Sequence, residues 1–478
     1  FSVFMLLAID RLLPNGKYGM INMQSWMFLS SFEKLRTRML TENCIDNMLH
    51  LGPRTFDELS GEVVQNTAFV ITNCEGNDAT GAYYRLVDGK NCGDKERMFL
   101  EAQENGGKAI VNSKLYIVNY NNVSQQDFEK IPGCPIGYWL SAKTINLICT
   151  NNYFISNEMV TREGMATADN ERFVRTWQEV SLKRISLNAI SCKDGYKWYP
   201  YNKGGGERKW YGLNLLIVNY ENDGYEIKNN IDHQTGRIRS HNYNGAFGLK
   251  SGATWSAISS GSISVRFSPC GFLFDSKGSM GFSDNIFNII GLINSHISIV
   301  FLRYISPTLD FKPGHIIQIP LVKEIVTKED INSLVQQNIS ISKQDWDTHE
   351  TSWDFERNPL YEQFLECMED DLQNVIPSET SLEELSKYAV AEAMHPLTTC
   401  MHNYKDKWEV NFMRLHKNEE ELNRQFIDIY GLQDELTPDV PLTEITILQQ
   451  GEISIENDRI KWHDDVVMKQ FISYAVGC

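Results

Sequence analysis

Apolar and polar positions at the start of the chain change period in a definite order. An apolar helix pattern runs from Phe1 through Leu12-Leu13 and is stopped by Pro14-Asn15-Gly16, a helix-end and turn signal. A short apolar strand follows from Tyr18 to Met23, then an amphipathic helix from Phe28 to Leu40. Two further strands are predicted at "NMLHLG" (47–52) and, after "FDELSGEVVQ", at "NTAFVIT" (66–72). Helix, strand and helix joined by short loops predict part of an α/β unit with a parallel sheet. In such sheets the ligand crevice lies beyond the carboxyl ends of the strands, which places Gln24, Ser25 and Trp26 facing it.

Residues 73–115 read as a polar connector with a hairpin around "YYRLVDGKNCGD". Residues 116–330 form a mixed, turn-rich region dense in aromatics (Trp177, Trp198, Tyr199, Tyr201, Trp210, Tyr211, Trp255), and from 331 the composition turns acidic and helical. Within the acidic part, 380–430 reads as two or three solvated helices. The segment 283–305 is apolar, but Asn285, Asn288, Asn294 and His296 interrupt it, as expected of a buried helix rather than a membrane span. The domain plan is therefore 1–75, a connector at 76–115, then 116–330 and 331–478.

Composition narrows the class. A hydrophobic fraction of 42% and a mean hydropathy of -0.34 describe a soluble globular chain rather than a disordered one. The net charge of -17 argues against a nucleic-acid partner until it is divided. Residues 1–330 carry 34 Lys+Arg and 33 Asp+Glu, a net of +1; the remainder carry 45 - 34 = 11 and 62 - 33 = 29, a net of -18. Any nucleic-acid groove must then lie upstream of 331. The ten cysteines are scattered, without a C-x-x-C pair or a nearby His at zinc spacing, and read as reduced cytosolic thiols.

Three stretches carry candidate chemistry. "NKGGGERKW" (202–210) fits neither the G-x-x-x-x-G-K-[ST] nor the G-x-G-x-x-G phosphate template. Its glycines allow close backbone approach, and Lys203, Arg208 and Lys209 suit phosphate oxygens; an ordinary exposed turn is the alternative. "FDSKGSMGFS" (274–283) sets Ser276 and Lys277 on a tight loop that could reach bases or phosphates, and surface turns share that composition. "RNPLYEQ" (357–363) mimics the Asn-Pro-Pro-Tyr loop of amino-group methyltransferases, but it has Leu for the second Pro and follows no apolar strand, so it reads as a decoy. His50 and His296 sit in apolar patterns and read as satisfied core histidines.

Taken in order, "KYGMINMQSWMFLSSFEKLR", "MLHLGPRTFDELSGEVVQNTAFVIT", "IPGCPIGYWLS", "MATADNERFVR", "KWYPYNKGGGERKWYG", "TWSAISSG", "GFLFDSKGS", "SPTLDFKPGHIIQIP" and "FIDIYGLQDELTPDVP" span nearly the whole chain. Together they resemble the adenine-specific DNA methyltransferases of the bacteriophage-exclusion (BREX, phage-growth-limitation) defence systems. The resemblance implies an α/β fold. The C-terminal half of a Rossmann-like S-adenosylmethionine-dependent methyltransferase domain would be followed by a mixed α/β target-recognition domain and an acidic, mainly helical region. "GLINSHISIVFLRYISPTLDFKPGHIIQIPL" also looks like the closing half of a type I restriction specificity module.

The same resemblance implies a base pocket walled by Gln24, Ser25, Trp26, Val64, Gln65 and Asn66. It implies DNA contacts from Arg172, Arg175, Lys203, Arg208, Lys209, Trp210, Trp255, Ser276 and Lys277. The family's glycine-rich cofactor loop and Asn-Pro-Pro-Tyr tetrapeptide are expected upstream of Phe1, which leaves no catalytic or cofactor-binding residue in this stretch and marks it as a fragment. Related enzymes stack an aromatic near the third strand on the flipped adenine; residues 62–66 offer none. The expected function is DNA adenine-N6 methylation with S-adenosylmethionine as cofactor, in the cytoplasm, with double-stranded DNA and further defence proteins as partners. The alternatives are a non-catalytic DNA-binding specificity protein, or part of a fused restriction–modification enzyme.

Overall fold

A computed structural model describes residues 2–57, 64–74, 79–111, 114–258, 262–306, 310–365 and 394–478. It divides into two compact units, Phe1–Asn152 with Arg303–Pro307, and Tyr153–Leu302 with Thr308–Cys478. The architecture is mixed α/β. The boundary falls at 152, so neither 75 nor 115 separates domains, and the acidic region shares a unit with the aromatic-rich one.

In the first unit, α1 (Ser2–Arg11) ends short of Pro14, and Asn15 at φ 60° turns the chain into β1 (Lys17–Met23). Two 3-10 turns precede α2 (Glu33–Glu42), which leads to β2 (Cys44–Gly52). This helix starts five residues later than its pattern predicts because Arg36 holds the preceding segment in turns. Its buried guanidinium donates to Trp26 O (2.9 Å), Leu29 O (2.7 Å) and Cys134 O (3.0 Å). Burial lowers the Arg36 pKa, with Cys134 and Glu33 opposing.

Next come β3 (Asn66–Thr72), β4 (Thr80–Arg85), α3 (Cys92–Glu104), β5 (Lys108–Val111), β6 (Lys114–Ile117), β7 (Asn119–Ser124), α4 (Gln125–Lys130) and α5 (Ala142–Thr150). The five-stranded sheet has the order β1-β3-β2-β4-β7. The expected parallel sheet is corrected here, since β3 is antiparallel to both β1 and β2, β7 is antiparallel to β4, and only β2–β4 is parallel. β1 and β2 still run in one direction, joined by α2, with β3 wedged between them. Alternation along the strands sends Ile45, Met48, Phe69 and Tyr83 to one core and Leu49 and Tyr84 to another, so both faces are covered.

The hairpin expected at 83–94 is a strand followed by a helix. Asn91 Oδ1 accepts from Asp94 N (2.8 Å), so the polar cluster read as a turn is a helix N-cap. Cys44 and Cys74 are joined by a disulfide with Cα atoms 5.9 Å apart, contrary to the free thiols expected there.

The second unit holds two four-stranded sheets. Their strands are β8 (Val160–Arg162), β9 (Val174–Thr176), β10 (Trp198–Asn202), β11 (Leu216–Asn219), β12 (Gly252–Trp255), β13 (Val265–Ser268), β14 (Leu273–Phe274) and β15 (Met280–Phe282). One sheet runs β14-β10-β11-β9 and the other β13-β12-β15-β8. The apolar segment breaks at Asn294-Ser295 into the helices Ile286–Ile293 and His296–Ile305, and Asn294 spends its amide on both backbone groups of Val265. Among the described residues, no single helix is long and apolar enough to cross a membrane.

The several solvated helices expected in 380–430 are one helix, Met394–Tyr430, over its described part; 380–393 lie outside the described residues. Cys400, Tyr404, Trp408, Phe412, Leu415, Leu422 and Phe426 recur at helical spacing and are buried, so one face packs rather than facing water.

Candidate nucleic-acid interface and strand-end polar cluster

The two glycine loops singled out in the sequence meet in the second unit. Asp275 N donates to Asn202 O (2.8 Å), Ala257 N to Lys277 O (2.8 Å) and Gly205 N to Ser256 Oγ (2.7 Å). Glycine is required at the closest approaches. A Cβ on Gly204, at φ 77°, would stand 2.5 Å from Lys277 O, and one on Gly278 would stand 2.3 Å from Asn202 O. Lys203 Nζ bridges Asp275 Oδ2 (3.0 Å) and Asn170 Oδ1 (2.9 Å) and keeps a quarter of its side chain exposed. Ser276 is half-buried and Lys277 exposed. Buried Asp275 also accepts from Tyr201 OH (2.7 Å), and burial, followed by that carboxylate, raises the Tyr201 pKa well above 10. The outward part of the paired loops is thus Lys203, Gly204–Gly206, the carboxylate-bearing Glu207, Ser276 and Lys277.

The other half of the loop turns inward, and the expected DNA contacts are corrected for three residues. Arg208 donates to Asp345 Oδ2 (2.7 Å), Ser342 O (2.9 Å) and Tyr211 O (2.6 Å). Lys209 Nζ and Trp210 Nε1 each donate to Glu419, one to either carboxylate oxygen, at 2.7 Å. All three side chains are buried, so their charges are matched inside the protein and do not face solvent. Trp255 is corrected in the same way. Its side chain is fully buried, with Nε1 donating to Phe311 O (2.9 Å). Arg172 is exposed but paired with Glu226 at 3.0 Å, and half-buried Arg175 folds back onto Val174 O (2.6 Å). Nothing local in the sequence reveals Asp345 or Glu419 as the counterions, because each lies more than a hundred residues away.

In the first unit a polar chain forms where β1 and β2 end. Gln24 Nε2 donates to Gln65 Oε1 (2.5 Å), and Gln24 Oε1 lies 2.7 Å from His50 Nε2. His50 Nδ1 lies 2.9 Å from Tyr138 OH. The Gln24 carbonyl oxygen can only accept, so His50 carries its proton on Nε2 and accepts the Tyr138 hydroxyl at Nδ1. Burial first, then Arg85 and Lys95, holds the His50 pKa well below 6.5; burial also raises that of Tyr138. The histidine is satisfied in the core, and Tyr138 is the partner that the sequence pattern does not disclose.

Among the expected pocket residues, Gln24 and Gln65 meet, Ser25 is half-buried, Val64 is exposed and Asn66 is buried in the strand pair. Trp26 does not face a crevice. It is fully buried, packs 5.1 Å from the Phe69 ring and donates to Asn22 Oδ1 (2.9 Å). In the second unit Asn358 is buried and accepts from Leu360 N (2.9 Å) at the start of a helical turn.

No protein-family model matches the chain. By sequence it is nevertheless homologous, end to end, to adenine-specific methyltransferases. It is 40% identical over 484 residues to the adenine-specific methyltransferase PglX of Lacticaseibacillus casei (strain Zhang), covering 100% of this chain and 36% of that protein. It is 33% identical over 489 residues to the adenine-specific methyltransferase BrxX of Escherichia coli O9:H4 (strain HS), covering 100% of this chain and 35% of that protein. The chain therefore spans about a third of the length of the curated relatives it matches. Among solved structures, the type IIL restriction-modification enzyme MmeI in complex with DNA aligns over 99% of this chain and 52% of its own, at 9% identity and a TM-score of 0.48. The nuclease-deletion mutant of the Type ISP enzyme LlaGI aligns over 71% and 36%, at 11% identity and a TM-score of 0.35.

Proposed function

We propose that the protein carrying this chain is a site-specific DNA adenine-N6 methyltransferase of a phage-defence system, with S-adenosylmethionine as methyl donor and double-stranded DNA as substrate. The observation that carries this reading is the 40% identity along the entire chain to an enzyme named for adenine-specific methylation. In this reading the first unit is the closing half of a Rossmann-like catalytic domain, consistent with β1 and β2 running in one direction around an α2 crossover. The second unit reads DNA with the paired glycine loops.

Among the described residues, those at the strand ends make no cofactor cradle. The polar groups at the strand ends satisfy one another through Gln24, His50 and Tyr138, and the glycine triplet belongs to the other unit. In this reading S-adenosylmethionine is held mainly by other parts of the whole protein. An exocyclic amine needs little acid–base help once positioned, so this chain contributes placement of an extruded base and of the duplex. Gln65, with Gln24 fixed behind it, is the side chain assigned to the base, beside Ser25, Val64 and Asn66.

The test is methyl transfer to duplex DNA by the complete protein, with N6-methyladenine read by mass spectrometry after digestion. Formation of that base is expected, and its absence under conditions of full duplex binding overturns the reading. Gln65→Ala should lower kcat by more than it weakens duplex binding. Equal losses would move Gln65 out of the pocket.

A further inference from the structure

Beyond the loops already described, the second unit carries an exposed hairpin whose outward face is unlike the rest of this acidic chain. Ile231 and Ile238 pair antiparallel, Asp232 N donates to Arg237 O (2.8 Å) and Arg239 N to Asn230 O (2.8 Å). The turn is closed by Gly236 at φ 67° and by Asp232, whose carboxylate accepts from Gln234 N (3.0 Å) and Thr235 N (2.8 Å). Ile231 and Ile238 at the tip are themselves exposed, and the backbone alternates only from Ser240 onward. Ser240 is buried and holds Thr167 O, and Asn242 donates to Tyr220 OH (2.9 Å). Arg237, Arg239, His241 and Tyr243, at the intervening positions, are all exposed. The His241 and Tyr243 rings stack 5.3 Å apart at 6°.

Among the described residues, neither Arg237 nor Arg239 forms an ion pair, although the chain has 62 carboxylates against 45 cations. The one carboxylate within the hairpin, Asp232, accepts from the turn's backbone and senses the Arg239 charge without forming an ion pair with it. Arg237 and Arg239, two positions apart on the exposed hairpin, each present a planar fork suited to a phosphate. The stripe is continuous with the glycine-loop face. His241 and Ala166 exchange backbone hydrogen bonds (2.8 and 2.9 Å), and Ser276 N donates to Met165 O (3.0 Å). The track runs from Arg237 to Lys277 along one set of paired backbones.

We propose that this hairpin is a second duplex-DNA contact, with Arg237 and Arg239 on backbone phosphates and the ribbon lying along a groove. The proposal rests on the DNA-binding reading above. A two-stranded ribbon is narrow enough for the major groove, about 12 Å wide, and Ser240 and Asn242 anchor its base. A single strand is the competing ligand, because its bases could stack on His241 and Tyr243.

The experiment uses the complete protein and a labelled duplex of random sequence, with affinity followed against salt concentration. Each phosphate contact contributes ~0.9 to the logarithmic salt slope, so Arg237→Ala with Arg239→Ala should lower it by about 1.8. Arg237→Lys with Arg239→Lys should retain the parental slope. An unchanged slope in the alanine pair, in protein with parental thermal stability, overturns the hairpin contact and leaves the DNA-binding reading intact. Tighter binding of the matching single strand than of the duplex overturns the choice of ligand. Failure of the parent chain to bind duplex overturns both readings.

Discussion

Glu419 is the acceptor for two buried donors at once, the Lys209 ammonium and the Trp210 indole, and Trp210 holds a left-handed φ of 69° to make the contact. A charge enclosed in this way is costly if its partner is removed, typically by about 3–5 kcal/mol, because the desolvation remains while the attraction is lost. Glu419→Gln should therefore destabilise the second unit by about 3–5 kcal/mol in urea unfolding, with Lys209→Met in the same chain restoring most of the loss. No recovery in the double variant would mean that the pair is not the source of the effect. The result also separates this loop's two halves, since neither substitution should change the salt slope of duplex binding. At this scale the sequence shows that cations and aromatics cluster at 203–211, but not which way they point. Orientation is decided by carboxylates at 345 and 419, and a local pattern contains no information about contacts across that separation.

Elements with a strong period were legible, and those fixed by a single polar contact were not. "NTAFVIT" has a short continuous apolar core, Ala68 to Ile71, and forms β3 over the predicted residues, because cover on both sheet faces suits a run of apolar side chains. The strand's direction within the sheet was not legible, since an antiparallel wedge and a parallel neighbour share one hydrophobic pattern. The segment after β4 was misread because Asp88-Gly89 and Asn91 look like a hairpin turn until Asn91 is seen to cap α3. In the second unit the meeting of the two glycine loops gives a sharper prediction. Gly278→Ala would bring a Cβ to 2.3 Å from Asn202 O and 2.6 Å from Gly204 N, both backbone atoms that cannot rotate away. The cost should exceed about 1 kcal/mol in unfolding, and duplex affinity should fall as the face separates. Gly205→Ala meets no atom within 4 Å but retains φ 96°, so it should strain the backbone without opening the loops. Equal effects of the two on duplex binding would count against loop pairing as the organiser of the face.

Over the whole molecule, charge is the property the sequence reports best and explains least. The C-terminal excess of carboxylates is plain from counting, yet Asp345 and Glu419 are not a repulsive surface; they neutralise cations contributed by the aromatic-rich region. One histidine in each unit responds to pH with opposite sign. His50 in the first unit has its pKa held well below 6.5, by burial before the nearby Arg85 and Lys95. It contributes stability present above the unfolded value near 6.5, which is lost as pH falls below it. His349 in the second unit is buried, which alone disfavours its charged form. The 2.6 Å hydrogen bond to Glu452, followed by the charges of Asp345 and Glu452, more than offsets this and leaves its pKa raised. Its contribution is present below pH 6.5 and is lost as pH rises through the folded value. His315 in the same unit is lowered by burial, so the total curve mixes signs and differences between variants are the clean observable. Urea midpoints of parent, His50→Gln and His349→Gln between pH 5 and 9 separate the two effects. The deficit of His349→Gln relative to the parent should shrink as pH rises above 6.5, whereas His50→Gln should gain on the parent as pH falls below it. A deficit for His349→Gln that is constant with pH would mean that the imidazole is not charged against Glu452. A constant difference for His50→Gln would remove the neutral, hydroxyl-accepting tautomer on which the polarity of the Gln24–Gln65 chain depends.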